Sequence, residues 1–373
     1  LGAVLAGLTR EADRIAYWDM LVQGDVRLVR RRIGGGYFVL LAPRPDAAAG
    51  LHHQPEPPVA FRCQDVHLAV GYPGLRFLPE LQRFRERYDL HHVVHAYEPH
   101  NHVYEALRLR PGTVLVRGAG IAASQVLDRL IRDRATNGSS TRILHLVRTY
   151  VEGAHGVHAW SRRYGADGFA YQGFNYPKSV WGGQLRARMH NLDGHERARL
   201  YAEIGGTTTA WREPWQRRLR EGRQAGWYRS EAGTIQDLRL DQGSVLARIR
   251  SAEGVREERV DYVVDSTGLE PDVTEHAVLR DLLERGGARR NPLGRLDVDQ
   301  EFRLRGVDSG DGRVYVAGAA AYGGPFPGVD TFLGLQIAAQ EIVDDLARRG
   351  RCRRMGPWRS TVEWLKWAVG RTI

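Results

Sequence analysis

The feature that most constrains this chain is a run of strand, glycine turn, helix and second strand within residues 113–148. Residues 113–117 (TVLVR) are apolar and β-branched enough for a buried parallel strand, and the following turn, GAGIAA at 118–123, matches the G-x-G-x-x-G/A pattern. Apolar residues then recur at helical spacing up to Ile131, and residues 142–147 have the pattern of a second strand. This order predicts a dinucleotide-binding unit.

Each small residue of the turn has a physical role in such a unit. Gly118 permits the tight turn, and Gly120 lets the backbone approach a pyrophosphate because it has no Cβ. Ala123 lets the helix lie close to the strand, and Ser124 follows it as a further candidate cofactor contact. The pyrophosphate is expected at the helix N-terminus, where free N–H groups and the helix dipole favour an anion.

The residue after the second strand indicates which nicotinamide cofactor is held. Arg148 stands where an acid would accept a hydrogen bond from the ribose 2′-hydroxyl in an NAD site, and no carboxylate lies immediately beside it. A guanidinium suits a 2′-phosphate, so the position favours NADPH. The alternative is that Arg148 is an ordinary solvated cation on a basic protein.

Length and composition place the chain among ordinary globular proteins. Its 373 residues and 42% hydrophobic content suffice for about two domains with real cores. It has no apolar run of about 18 residues and no signal-peptide pattern, which predicts a cytoplasmic protein. The two cysteines, Cys63 and Cys352, are far apart in sequence, which excludes a disulfide framework, a C-x-x-C redox pair and a cysteine zinc site.

The net charge of +10 comes mostly from arginine spread along the whole chain. This spread disfavours a nucleic-acid partner and fits a composition bias together with anionic cofactors. The tail from residue 349 onward is different, because it interleaves seven cations with Trp358, Trp364 and Trp367. A helix that packs its tryptophans on the body of the protein is favoured there, and weak contact with a membrane surface or RNA is the alternative.

Two further stretches have the same shape on either side of the dinucleotide motif. An apolar strand ends in Ala69-Val70-Gly71, and another ends in Ser266-Thr267-Gly268. With this arrangement the chain resembles the two-dinucleotide-domain flavoproteins, in which such strands mark crossings between an FAD domain and an inserted NAD(P)H domain. Residues 294–299 and 312–318 are similar to the family's closing strand beside the flavin, and the helix beginning near Thr331 resembles the one that meets the flavin ring.

The resemblance implies an α/β fold class: a Rossmann-like NAD(P)H-binding domain inserted in an incomplete FAD-binding α/β domain. The expected domains are 1–110, 111–270 with an aromatic and glycine-rich insert at 150–230, and 271–373. No first G-x-G-x-x-G precedes residue 65, so we expect that about a hundred or more N-terminal residues are absent. A complete protein that has lost FAD is the alternative.

The resemblance also implies the cofactors FAD and NADPH. On the flavin side the candidate contacts are Gly318, Asp330, Thr331 and Gln336, with Asp330 or Thr331 as a helix N-cap that needs no ligand in the alternative reading. Gly318 is followed by Ala319, where the family often has an acid that bonds the ribityl chain. This departure puts that contact in doubt.

The insert carries the features that point to one branch of the family. Residues 169–177 are similar to the F-x-x-E-x-F-x-P element of N-hydroxylating flavin monooxygenases, with Gln172 in place of the acid, and 205–211 resemble their later Asn/Thr-rich turn. Such a segment predicts a lid that excludes water, and a loop tied down by its own aromatic residues is the alternative. The candidate substrate and lid residues are Gln172, Asn175, Lys178, Gln184, Thr208 and Arg212.

Other chemistries have weaker support. Five histidines crowd residues 91–102, but no H-E-x-x-H pattern accompanies them, so a metal site is disfavoured. No nucleophile elbow, P-loop or acid/base pair is present, which leaves the catalytic residues unassigned.

The sequence therefore favours an FAD- and NADPH-dependent oxidoreductase, a flavin monooxygenase acting on a small amine-like molecule. The alternatives are a reductase or dehydrogenase with the same cofactors and a non-catalytic dinucleotide-binding or interaction protein. The sequence does not indicate an oligomeric state.

Overall fold

A computed structural model describes residues 2–42, 57–138, 140–152, 168–169, 184–204, 213–326, 328–369 and 371. Twelve strands occur in these ranges: β1 (Asp25–Arg31), β2 (Tyr37–Ala42), β3 (Val59–Cys63), β4 (Val66–Leu68), β5 (Val93–His95), β6 (Thr113–Arg117), β7 (Arg142–Val147), β8 (Tyr228–Asp241), β9 (Ser244–Ser251), β10 (Gly254–Val260), β11 (Tyr262–Asp265) and β12 (Val314–Val316).

The same ranges contain eleven α-helices: α1 (Gly2–Arg14), α2 (Tyr17–Met20), α3 (Pro79–Arg87), α4 (Asn101–Leu109), α5 (Ile121–Asn137), α6 (Gln184–Asn191), α7 (Gly194–Ile204), α8 (Glu213–Gln224), α9 (Ala277–Glu284), α10 (Phe332–Arg348) and α11 (Pro357–Ala368). The predicted strand, turn, helix and strand are confirmed as β6, α5 and β7. Strands β1 and β2 form an antiparallel pair.

A seven-stranded sheet with the order β10-β9-β8-β7-β6-β11-β5 forms the larger layer. The five strands from β8 to β5 are parallel, and β8, β9 and β10 continue as an antiparallel ribbon. Residues 114–117 of β6 are buried because helices and ribbon cover both faces of the sheet. The sheet extends upstream of residue 111 to β5, so the division at that residue stays a prediction.

The smaller layer is built on two parallel strands, β12 and β4, beside the three-stranded antiparallel sheet β1-β2-β3. A separate apolar core joins these strands to α9 and α10. The two predicted crossings between the layers lie side by side, since Leu75 and Leu269 form an antiparallel bridge and the Glu270 amide donates to the Gly74 carbonyl at 2.9 Å. The chain thus passes between two α/β layers through paired connections.

An ion-pair network clamps the C-terminal part of α10 to the smaller layer. Asp345, fully buried, accepts hydrogen bonds from the Tyr315 hydroxyl at 2.7 Å and from Arg303 Nε at 2.8 Å. Arg349 in turn donates to Tyr315 at 2.8 Å and to Asp65 at 3.0 Å. These donors lower the pKa of the Asp345 carboxyl to about 2 against the opposing effect of burial, which is the largest single influence.

The C-terminal helix is confirmed as α11, but the expected packing of its tryptophans is wrong. Trp358, Trp364 and Trp367 are all exposed, and no residue of α11 is buried. Helical spacing predicts that a helix has an apolar side without saying where that side points. Among the helices that the structure describes, none is both long and apolar enough to cross a membrane.

Candidate functional site

The glycine turn lies at the carboxyl edge of β6, between β7 and β11, as expected for a dinucleotide site. Gly118 has φ +127°, and a Cβ built on it would lie 2.6 Å from the Ser266 carbonyl oxygen. Only glycine is accommodated there. A Cβ built on Gly120 meets nothing within 4 Å, so this residue faces open space.

Helix α5 begins directly at this open space. Gly120 is its N-cap, and no side-chain hydrogen bond caps the helix, which leaves the first-turn N–H groups to an anion. Ala123 is fully buried against the sheet, as predicted. The Ser124 hydroxyl donates to the Ile121 carbonyl at 2.8 Å, so this side chain already has a partner within the helix.

His145 of β7 stabilises the turn by a hydrogen bond to its backbone, and this role was not predicted from the sequence. Its ring lies fully buried with Nε2 at 2.5 Å from the Gly118 carbonyl oxygen and Nδ1 at 2.9 Å from the Tyr228 hydroxyl. Because a carbonyl only accepts, Nε2 carries the proton and donates, and Nδ1 accepts from the hydroxyl. Burial lowers the pKa of His145 to about 4, which keeps the imidazole neutral.

A second buried polar side chain, Arg117, ties the ends of β6 and β7 together. Its Nη1 donates to the Leu146 carbonyl at 3.1 Å, while its buried Nε has no hydrogen-bond partner. Burial lowers the pKa of this guanidinium, and the nearby Asp265 carboxylate opposes that effect. Asp265 ends β11 and accepts from the Thr267 amide at 2.9 Å, which shapes the crossing next to the turn.

Arg148 follows β7 and is exposed at the same edge of the sheet. Within the ranges that the structure describes, its guanidinium has no ion pair and no hydrogen-bonded acceptor. An exposed cation without a carboxylate partner, one strand away from the turn, remains available to a 2′-phosphate.

A second crevice lies at the carboxyl ends of β4 and β12. These parallel strands lead into Gly71 and Gly318, both with positive φ, and a Cβ built on Gly318 would lie 3.7 Å from Leu335 of α10. Thr331 is the N-cap of α10 and accepts from the Gly334 amide at 3.1 Å. The start of α10 therefore faces the edge of this small sheet.

Polar side chains line one side of the second crevice. The Tyr72 hydroxyl donates to Asp330 at 3.0 Å. Burial is the largest cause of the raised pKa of this phenol, and the Asp330 carboxylate raises it further. Nearby, Arg295 is nine-tenths buried, its Nη1 has no hydrogen-bond partner, and burial lowers its pKa. A buried cation without a paired carboxylate is costly, which makes this position suited to an anionic group.

The remaining predicted residues divide into two groups. Gln336 is exposed on α10, and Gln184 begins α6. The other lid and substrate candidates lie outside the described residues: Gln172, Asn175, Lys178, Thr208 and Arg212. Helix α7, which precedes residues 205–212, contacts the second crevice because the Tyr201 hydroxyl donates to the Phe326 carbonyl at 2.8 Å.

The histidine-rich region has structural partners. His91 and His102 stack at 4.3 Å between ring centres, and His102 Nε2 lies 2.9 Å from the His91 carbonyl. No group of three or more potential metal ligands occurs in the part of the chain that the structure describes.

Solved structures share this architecture. An ornithine hydroxylase from Pseudomonas aeruginosa matches with a TM-score of 0.61 and 15% identity over 90% of this chain and 73% of its own. L-lysine 6-monooxygenase from Pseudomonas syringae has a TM-score of 0.60 and 16% identity, with 87% and 71% covered. Bacillithiol disulfide reductase from Bacillus cereus has a TM-score of 0.54 and 12% identity, with 92% and 77% covered.

Sequence comparison adds no closer relationship, since neither a protein-family model nor a curated protein matches this chain. At such low identity the structural likeness concerns the fold. The resemblance found in the sequence is confirmed at that level: the chain has the two-dinucleotide-domain flavoprotein fold, with a Rossmann-like domain set into a second α/β domain.

Proposed function

We propose that this protein is an FAD- and NADPH-dependent oxidoreductase that oxygenates a small nucleophilic, amine-like substrate. One observation carries the proposal: the uncapped glycine turn of β6 and α5 lies in a fold shared with amine-hydroxylating flavoproteins. The lysine and ornithine enzymes act on amines, and the same arrangement of two layers supports a related chemistry here.

The first crevice is the proposed NADPH site. Its pyrophosphate would lie over Gly120 at the start of α5, and Arg148 would pair with the 2′-phosphate. His145 holds the Gly118 carbonyl and so keeps the turn open. When bound, NADPH supplies a hydride, while the protein supplies orientation and charge.

The second crevice is the proposed FAD site. Gly318, Asp330 and Thr331 surround the start of α10, and Arg295 offers a buried cation beside them. FAD supplies the redox chemistry with oxygen, and residues around it would orient the substrate and exclude water. Gln336 and the lid candidates of the insert stay proposals for contacts at the mouth of this crevice.

The decisive experiment supplies the purified protein with FAD and NADPH and follows flavin absorbance and oxygen uptake with a panel of amines. We expect flavin bleaching under argon and amine-dependent oxygen consumption with a hydroxylated product in air. Neither flavin reduction nor oxygen uptake with any amine would contradict the proposal. Matched protein with Arg148→Glu is the control, since it should lose NADPH-driven bleaching while dithionite still bleaches its flavin.

A second candidate is a reductase with the same cofactors, favoured by the likeness to the bacillithiol disulfide reductase fold. Within the given residues, Cys63 and Cys352 are both free and form no C-x-x-C pair, so they supply no dithiol for this reaction. Turnover that is unchanged when oxygen is removed would favour the reductase over the oxygenase.

A further inference from the structure

The outward face of α11 has an unusual composition for a protein surface. Trp358 is 81% exposed, Trp364 60% and Trp367 64%. Leu365 and Val369 extend this apolar surface and are exposed as well. Large aromatic residues are normally half-buried or more, so three exposed tryptophans on one helix make it a candidate for contact with another apolar phase.

The charged residues of α11 occupy the opposite side. At 100° per residue, Arg359, Glu363 and Lys366 fall within an arc of about 60°. The tryptophans and Leu365 spread over the remaining arc together with Ser360 and Thr361, with Trp358 and Trp367 on its two flanks. Glu363 and Lys366 form an ion pair at 3.1 Å and are among the few partly buried residues of the helix. The helix therefore directs part of its charge toward the protein and its apolar face outward.

Unpaired basic side chains precede the helix at residues 353 and 354, and a third lies in its charged arc at residue 359. Arg353, Arg354 and Arg359 are exposed and have no ion pair within the described part of the chain, whereas Arg349 and Arg351 upstream are paired with Asp65. The patch therefore joins free positive charge to an exposed tryptophan face, which complements anionic lipid headgroups over an apolar interior.

We propose that α11 is an interfacial anchor that holds this protein on an anionic membrane surface. The helix lies in the plane of the interface, its tryptophans enter the boundary between headgroups and acyl chains, and Arg353 and Arg354, which precede the helix, contact lipid phosphates. Twelve residues are too few to span a bilayer, so the contact is peripheral and reversible.

The test is cosedimentation of the purified protein with vesicles of phosphatidylcholine alone and of phosphatidylcholine mixed with phosphatidylserine. We expect binding to the anionic vesicles that weakens as salt is raised. Replacing Arg353 and Arg354 together by Gln should weaken binding about thirtyfold, at roughly fivefold per cation. Replacing the three tryptophans by Ala should weaken it by a similar order.

Matched controls are Arg217→Gln with Arg220→Gln on α8, which are exposed cations elsewhere, and Trp18→Ala, an exposed tryptophan of α2. These variants should bind vesicles like the unchanged protein, and all variants should keep the same unfolding temperature because the side chains are exposed.

The proposal would be overturned by no binding to anionic vesicles, whether or not the protein binds an RNA oligonucleotide instead. Equal vesicle binding by the tryptophan variant, or a lipid-free dimer that the tryptophan variant loses, would also overturn it.

Discussion

The two crevices differ in how completely the described chain builds them. The first lies at the edge of five parallel strands, where the turn between β6 and α5 is supported by β7 and β11. The second lies at the edge of two parallel strands only, β4 and β12. Among the described residues, the start of α10 and the loop before it form the other side of the second crevice.

An apolar groove lies beside the small sheet. Val66, Tyr315, Ile342 and Leu346 line an opening of about 280 Å³ between the two strands and α10. The buried strand β6 of the first crevice has apolar neighbours on both faces. Substitutions at the first crevice are therefore expected to act on a buried sheet edge, and substitutions at the second on the start of α10.

The largest effect is expected from Gly118→Ala. The new Cβ would meet the Ser266 carbonyl at a backbone conformation that side chains disfavour, so we expect the free energy of unfolding to fall by about 3 kcal/mol or more. Thermal unfolding and NADPH titration measure the change.

Gly120→Ala is the matched control, because its Cβ meets open space and the unfolding temperature should stay unchanged. NADPH binding should still weaken in this variant. Equal stability of the two variants would show that the turn is not constrained as described.

The next effect concerns pH. In the folded protein the pKa of His145 is about 4, while in the unfolded chain it is near 6.5. The neutral ring stabilises the fold fully above pH 6.5, and this contribution is lost as the pH falls toward 4, by about 3 kcal/mol in all.

His145→Gln keeps a donor for the Gly118 carbonyl and does not titrate. The stability of this variant relative to the unchanged protein should therefore rise as the pH falls from 6.5 to 4. Chemical denaturation at a series of pH values provides the measurement, and parallel pH profiles for the two proteins would contradict the assignment. His195→Gln, at an exposed position of α7, serves as the control.

Cofactor choice gives a smaller effect. Arg148→Glu should weaken NADPH binding by about ten- to a hundredfold and leave NADH almost unchanged, because it removes the cation expected to face the 2′-phosphate. Fluorescence titration with both nucleotides compares them in one protein. Equal losses for NADPH and NADH would exclude that role.

The smallest effect tests the second crevice. Thr331→Ala removes the cap of α10 and should lower the free energy of unfolding by about 1 kcal/mol. Thr331→Ser keeps the hydroxyl and should restore stability. If FAD binds at this helix start, its affinity should fall in Thr331→Ala and recover in Thr331→Ser. An unchanged affinity in both variants would show that FAD does not bind at the start of α10.

The first crevice could be predicted from the sequence because local rules determine it. Strand period, glycine spacing and a buried helix face all agree from β6 to β7, and those bounds were reproduced. His145 was missed because one histidine in an apolar strand carries no signal of its own. Its role arises from Tyr228, 83 residues away in sequence.

The outward tryptophans of α11 show the other limit. The sequence predicted an amphipathic helix correctly, but which side faces the protein depends on long-range packing and not on the periodicity of residues 357–368. In the same way, the surroundings of Arg295, whose buried Nη1 has no hydrogen-bond partner, include Tyr72 from a segment far away in sequence.

The hydrogen bonds that hold Asp345 also fix which side of α10 is turned toward the small sheet. The helix is held near its end by Arg303 and Tyr315, while Thr331 lies at its start. One inserted residue between the two would turn the start by about 100° and shift it by about 1.5 Å, moving it away from Gly318. Along this helix, changes of side chain should be tolerated far better than changes of length.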